Sequence, residues 1–312
     1  MKFYSRRATL GAGAAALATS NAPILSPAFA ASSSSSLPPL GLGSCCDEYD
    51  ASYSLVLDGL RAGYRLVDTA AHYASEPAVG AALAEARKNG IDGVRTVTKI
   101  WFDDMGYEPA LASAMRSIDN LQVERLDCLL IHFPGSYDAV QSPAKNKKLR
   151  VDTWKALEKL QSDGRVKTIG LSNYTPRHLR ETLAEAQKPP SILQTELHPR
   201  FQQRELIEYA REAGVTTIMA HCPLAHGSQS LLRDPTLTRL AAARGDGCTP
   251  AMIALRWSLD SGFIPIPKAS SKARLEENLR AVSMPPLTKD ERDAVDAIDC
   301  GERVSFDPKL IA

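Results

Sequence analysis

A closed (β/α)8 barrel, the α/β TIM-barrel class in a single domain, is predicted for this 312-residue chain by three observations. Segments with apolar residues at three- and four-residue spacing alternate with short runs that are apolar at nearly every position, the pattern of parallel strands covered by helices. Gly63, Gly90, Gly164, Gly214 and Gly262 sit just past the ends of helical segments, where a left-handed residue is needed. Eight strand-and-helix units fill roughly 280 residues, the usual size of such a barrel. An open doubly wound sheet is the runner-up, and the absence of any GxGxxG after a strand weighs against it.

Taken in order, residues 1–30 read as a removable targeting peptide. Ser5-Arg6-Arg7 opens a basic region, an alanine-rich apolar stretch follows, and Ala28-Phe29-Ala30 ends it. This looks like a twin-arginine export signal, which implies a periplasmic or thylakoid-lumen destination; the alternatives are plastid stroma, mitochondrion or cytoplasm. The stretch is too short for an integral membrane span. Residues 31–38, rich in serine and proline, read as a disordered linker, and 39–312 as the barrel.

The strands expected are Pro39 to Ser44, Arg65 to Asp68, Val94 to Lys99, Leu126 to His132, Val166 to Ser172, Ile192 to Glu196, Val215 to His221 and Phe263 to Pro267. Helices are expected over 51–62, 76–89, 108–120, 152–163, 176–187, 203–213 and 250–260, with Gly135 to Arg150 left as a loop. Thr175-Pro176 and Thr249-Pro250 read as helix caps followed by proline at the first helical position.

A balance of 37 basic against 36 acidic side chains leaves no field to attract nucleic acid or an acidic membrane surface. The six cysteines show no CxxC pair and the histidines no metal spacing, so no metal is assigned. They read as mostly buried or free, with adjacent Cys45-Cys46 able to oxidise. A monomer is expected.

Asp68, Lys99 and His132 each close a strand, about one βα unit apart, and active sites of such barrels lie at the C-terminal strand ends. They should converge at one mouth, with Tyr73 reaching in from the loop after Asp68. The chemistry suggested is proton transfer by tyrosine. A lysine cation at about 4 Å is worth about 4 kcal/mol at an effective dielectric near 20, roughly three pKa units, which would bring the phenol near 7. Asp68 would hold Lys99 protonated and aimed, and His132 would orient the substrate oxygen. Nothing in the chain is redox-active enough to supply electrons, so a nicotinamide is implied.

These residues resemble the aldo-keto reductases over nearly the whole mature chain. Gly63-Tyr64-Arg65-Leu66-Val67-Asp68-Thr69-Ala70-x-x-Tyr73-x-x-Glu76 with Val79-Gly80 is similar to that family's first signature. Ile131-His132-Phe133-Pro134, Gly170-Leu171-Ser172-Asn173-Tyr174, and Ile266-Pro267-Lys268 with Arg274, Glu277 and Asn278 resemble later ones. The resemblance implies a catalytic tetrad of Asp68, Tyr73, Lys99 and His132, and an NADPH-dependent reduction of an aldehyde or ketone. It implies that Ser172, Asn173 and Gln194 hold the nicotinamide carboxamide, with Gly43, Ser44 and Asp68 beside the cofactor. His221, Pro223 and Leu224 would lie along it, with the imidazole where the family usually stacks a tyrosine. Lys268, Ser270, Ser271 and Arg274 would take the 2′-phosphate, and Glu277 and Asn278 the adenine. Ala269 stands where a phosphate-binding serine is common. Tyr73, Trp101, His132 and Phe133 would line a pocket for a small-molecule carbonyl substrate, bordered by the tail after Cys300. The competing reading is a non-catalytic NADP-binding barrel acting as a redox sensor or channel-associated subunit.

Overall fold

The computed structural model of the protein describes residues 37–45, 48–135, 142–245 and 247–312. The targeting peptide expected over 1–30 lies outside them, as do most of the linker and Cys46. Eight strands follow one another in chain order, each parallel to the next. They are β1 Leu42–Gly43, β2 Leu66–Asp68, β3 Arg95–Ile100, β4 Leu126–Ile131, β5 Val166–Ser172, β6 Ile192–Glu196, β7 Thr217–His221 and β8 Phe263–Ile266. Backbone hydrogen bonds from Gly41 N–H to the Pro265 carbonyl (3.0 Å) and from Gly43 N–H to that of Pro267 (3.1 Å) join β1 to β8 and close the ring. A doubly wound sheet would reverse its strand order partway, and this one does not.

Helices α1 Tyr49–Ala62, α2 Glu76–Lys88, α3 Tyr107–Leu121, α4 Pro143–Ser162, α5 Pro176–Leu183 and α6 Arg204–Glu212 cover the connections between strands. After β7 come α7 Gln229–Leu232, α8 Pro235–Arg244 and α9 Pro250–Asp260, and after β8 come α10 Lys272–Ser283 and α11 Lys289–Asp296. The Thr175 hydroxyl accepts from His178 N–H and that of Thr249 from Met252 N–H, so both caps form as expected, each with proline at the helix start. Gly63 ends α1 at φ 122, a conformation that a Cβ disfavours.

Strand parity decides what faces the barrel axis. Leu66, Val97, Cys128, Leu130, Ile192, Met219 and Ile266 pack together as the interior layer, while Val67, Leu129, Ile131, Ile169, Leu171 and Leu193 join the larger cluster beneath the helices. Counting in twos from the interior set, Asp68, Lys99, His132, Gln194 and His221 fall on the inward side at the C-terminal ends. Gly170 keeps β5 close to its neighbour: a Cβ there would lie 2.5 Å from the Ile192 carbonyl oxygen.

The structure differs from the sequence reading in its helices. The segment Gly135 to Arg150 is not all loop, because α4 begins at Pro143 and includes Lys145 to Arg150. Arg150 holds that turn: fully buried, it donates to the carbonyls of Pro134 (2.6 Å) and Ala312 (3.3 Å) and pairs with Glu181. Helices α7, α8, α10 and α11 lie outside the segments expected from periodicity. In α11 Val295 is the buried residue, so no apolar stripe marks it. No helix among the described residues is long and apolar enough to cross a membrane.

Candidate active site

The inward residues of β2 and β3 form an ion pair at the barrel mouth. Lys99 Nζ donates to Asp68 Oδ1 at 2.5 Å and to the Thr69 carbonyl at 2.9 Å, with both side chains buried. Gln194, from β6 across the barrel, donates to Asp68 Oδ2 at 2.7 Å, so each carboxylate oxygen has a donor. Ser44 donates its hydroxyl to the Asp68 carbonyl at 3.0 Å, fixing the end of β2 against β1. Burial pulls the Lys99 pKa down, and the Asp68 carboxylate opposes that.

A 3-10 turn over Ala71–Tyr73 brings Tyr73 above this pair. Its hydroxyl lies 3.4 Å from His132 Nε2, and Lys99 Nζ is 5.2 Å from its ring centroid. Burial pulls the His132 pKa well below the ordinary imidazole value, helped by the Lys99 cation, so the ring is neutral. His132 Nδ1 is buried without a partner. An orphaned lone pair costs less than an orphaned N–H, which favours the tautomer with the proton on Nε2, aimed at the Tyr73 oxygen. Tyr73 departs from expectation. Its pKa is raised, not lowered: burial dominates, the Asp68 charge adds to it, and the ammonium points at Asp68 and Thr69 instead of the phenol oxygen. Tyr73 is therefore a protonated phenol with its hydrogen available to a substrate.

Across the barrel His221 is neutral as well. Burial pushes its pKa down to about 3, against the opposing pull of Glu196. Its Nε2 meets Asn173 Oδ1 at 2.8 Å and its Nδ1 meets the Cys222 thiol at 3.3 Å. Since burial and Glu196 push the Cys222 pKa up to about 12, the thiol keeps its proton and donates it, leaving Nε2–H to donate to Asn173. Asn173, in the left-handed conformation at φ 60, passes its amide hydrogens to the His132 carbonyl (3.0 Å) and the Ser172 hydroxyl (3.1 Å). The uncharged imidazole thus locks an amide beside the tetrad, where a charged ring could have carried repulsion toward Lys99.

A cleft of about 850 Å³ runs from Tyr73 and His132 to the start of α10. Of the residues assigned to the cofactor, Gly43, Asp68, Asn173, Gln194, His221, Pro223, Leu224, Lys268, Ser270, Arg274, Glu277 and Asn278 border it. Ser44 and Ser172 are fully buried behind its wall, and Ser271 caps α10 by accepting from Arg274 N–H. Arg274 donates to the Ser270 hydroxyl at 3.2 Å, so two phosphate candidates are already aligned. Glu277 accepts from Thr249 at 2.6 Å. The Ala269 methyl is buried against Leu40, Leu42, Tyr64 and Leu275.

On the substrate side Phe133 borders the cleft and Trp101 lies behind, edge-on to His132 with ring centroids at 4.9 Å and to Phe133 at 6.2 Å. Four further residues here escaped the sequence reading: His72, stacked on Trp101 at 3.7 Å, His226 of the β7 loop, and Ser305 and Phe306 of the tail. Two of these segments had a signal that named no such residue: the tail, and the loop from Leu224 to Arg233, which the resemblance implies crosses the cofactor pyrophosphate and which contains His226. Cys45 borders the cleft and is disulfide-bonded, while Cys128, Cys222, Cys248 and Cys300 are free. Among the described residues no group of three or more His, Cys, Asp or Glu could hold a metal ion.

A parallel eight-stranded barrel with a lysine–carboxylate pair, a tyrosine and a histidine at its mouth defines a class, the cofactor-dependent barrel oxidoreductases. Comparison narrows it. The Aldo/keto reductase family model matches residues 47–300, and the chain belongs to that family. An aldo-keto reductase of Mycobacterium sp. (strain KMS) is 38% identical over 285 residues, covering 91% of this chain and 97% of that protein. A glyoxal reductase of Bacillus subtilis is 36% identical over 251 residues, covering 80% and 84%. The structure of a Gox0644 mutant in complex with NADPH superposes with a TM-score of 0.78 at 34% identity, covering 88% of this chain and 94% of that one.

Proposed function

We propose that the protein reduces an aldehyde or ketone to an alcohol at the expense of NADPH, with Tyr73 as the proton donor. The observation that carries this reading is the Tyr73 hydroxyl 3.4 Å from His132 Nε2, beside the buried Lys99–Asp68 pair at the mouth of the cleft. The cleft suits an elongated dinucleotide: buried amides of Asn173 and Gln194 lie at one end, and the exposed cations Lys268 and Arg274 at the other. Those residues would hold the carboxamide and the phosphate respectively. NADPH, when bound, supplies the hydride.

The remaining chemistry belongs to the chain. His132 Nε2–H orients the carbonyl oxygen and polarises it, and as negative charge grows there Tyr73 gives up its proton. The raised phenol pKa does not prevent this, since an alkoxide is a stronger base than a phenolate. Lys99 steadies the phenolate left behind, and Asp68 and Thr69 keep its ammonium in place. The aromatic wall of Phe133 and Phe306 excludes water from the reacting atoms. The test is NADPH oxidation with a panel of aldehydes, comparing wild type with Tyr73→Phe. Loss of the general acid should cut kcat about 10²–10⁴-fold with NADPH binding retained. Wild-type protein that binds NADPH and turns over no carbonyl would sink the proposal.

A further inference from the structure

Glu196 ends β6 on the inward side, in register with His221, and is fully buried. It touches none of the tetrad. Its oxygens are occupied by the C-terminal tail: Oε1 accepts from Val304 N–H at 2.7 Å, and Oε2 accepts from Ser305 N–H at 2.9 Å and from the Ser305 hydroxyl. His198 Nε2 reaches Oε1 at 3.1 Å, and Arg303 lies 3.7 Å from Oε2. These donors hold its carboxyl at about 2 against the opposing effect of burial, so the latch is ionised at neutral pH.

The far end of the tail is fastened separately. Ile311 is buried, and its carbonyl accepts from Arg177 and from His178 Nε2 at 3.1 Å. Between the two fastenings the Phe306 ring meets Phe133 with centroids 5.3 Å apart and borders the same cleft as Tyr73 and His132. Phe133 in turn leads to Trp101, so the wall beside the tetrad is aromatic. The charged tail groups nearby are occupied elsewhere, Arg303 with Glu196 and Asp307, and Glu302 with Arg200. The two tail residues that border the cleft, Ser305 and Phe306, carry no charge to favour an anionic substrate.

We infer that Glu196 is a positioning residue of the substrate pocket, and that by latching the tail it sets Phe306 as a specificity wall for carbonyl compounds bearing a flat aromatic group. This rests on the carbonyl-reductase reading. The ring acts on substrate directly, whereas the carboxylate acts only through the tail.

The test uses the full chain with NADPH and two probes, benzaldehyde and methylglyoxal, for wild type, E196Q and F306A. F306A removes a half-buried ring from the tail and leaves the barrel core intact. It should raise the KM for benzaldehyde about tenfold relative to methylglyoxal. E196Q should produce the same shift in discrimination. Its NADPH Kd and its single-turnover hydride rate at saturating benzaldehyde should stay within about twofold, because the tetrad is untouched. Trypsin should cleave at Arg303 in E196Q faster than in wild type. An unchanged discrimination ratio in F306A overturns the specificity assignment. A released tail with unchanged discrimination in E196Q, or equal losses on both aldehydes with weakened NADPH binding, overturns the positioning assignment. Wild type inactive on both probes overturns the reductase reading and this inference with it; wild type active with unchanged ratios overturns the inference alone.

Discussion

Replacing Lys99 by methionine tests whether the floor of the site is an ion pair. Methionine matches the length of the lysine stem, so packing beneath Tyr73 is largely kept while the ammonium disappears. Asp68, 5% exposed, then retains Gln194 Nε2 at 2.7 Å as a side-chain donor but no cation in contact. Removing one partner of a buried pair costs about 3–5 kcal/mol, and the surviving amide donor places this case near the lower end, about 3 kcal/mol. At about 2–3 °C per kcal/mol for a chain of this size, the Tm should fall by about 6–9 °C at pH 7. The neutral pair Asp68→Asn with Lys99→Met should recover most of that loss. Circular-dichroism melts of wild type, both single variants and the double variant, at one scan rate and protein concentration, complete the cycle. A double variant no more stable than Lys99→Met, or additive single effects, would refute the account of Asp68 as an ionised partner held by Lys99.

Two further outcomes follow from the site. The folded pKa of His221, about 3, lies below the unfolded imidazole value of about 6.5, so the unfolded state binds the extra proton first and stability falls as pH drops between them. His221→Phe should therefore lose about 1.6 kcal/mol less than wild type between pH 6.5 and 5, read from urea midpoints at the two pH values; parallel pH slopes would show the histidine to be charged in the folded protein. Arg274→Gln should weaken NADPH binding about tenfold to a hundredfold by removing a charged hydrogen bond and leave NADH binding unchanged, as measured by fluorescence titration. An equal loss for both cofactors would take Arg274 away from the 2′-phosphate.

The convergence of Asp68, Lys99 and His132 was legible because each ends an apolar run, and a parallel barrel gathers strand ends at one rim. Glu196 ends an apolar run in the same way and passed unremarked. Its partners are backbone N–H groups of Val304 and Ser305, more than a hundred residues away, and no residue type at those positions announces them. The start of α4 was missed for a related reason. Lys145, Lys147 and Lys148 dilute the apolar period, and the turn is held by buried Arg150 reaching the Pro134 carbonyl and the chain end.

Local chemistry in the chain determined the strand and helix alternation, the proline-started caps at Thr175 and Thr249, and which polar side chains end the strands at the barrel mouth. These depend on neighbours a few residues away. Charge states and fastenings were decided only by the tertiary structure. Proximity of Lys99 to Tyr73 suggested a depressed phenol pKa, yet desolvation and the direction of the ammonium toward Asp68 reverse the sign. His221 could have been charged, and burial among Asn173, Cys222 and the barrel wall makes it neutral. A pKa sums desolvation and fields from groups distant in sequence, as the latch joins Glu196 to tail groups more than a hundred residues away, and neither exists until the chain has folded.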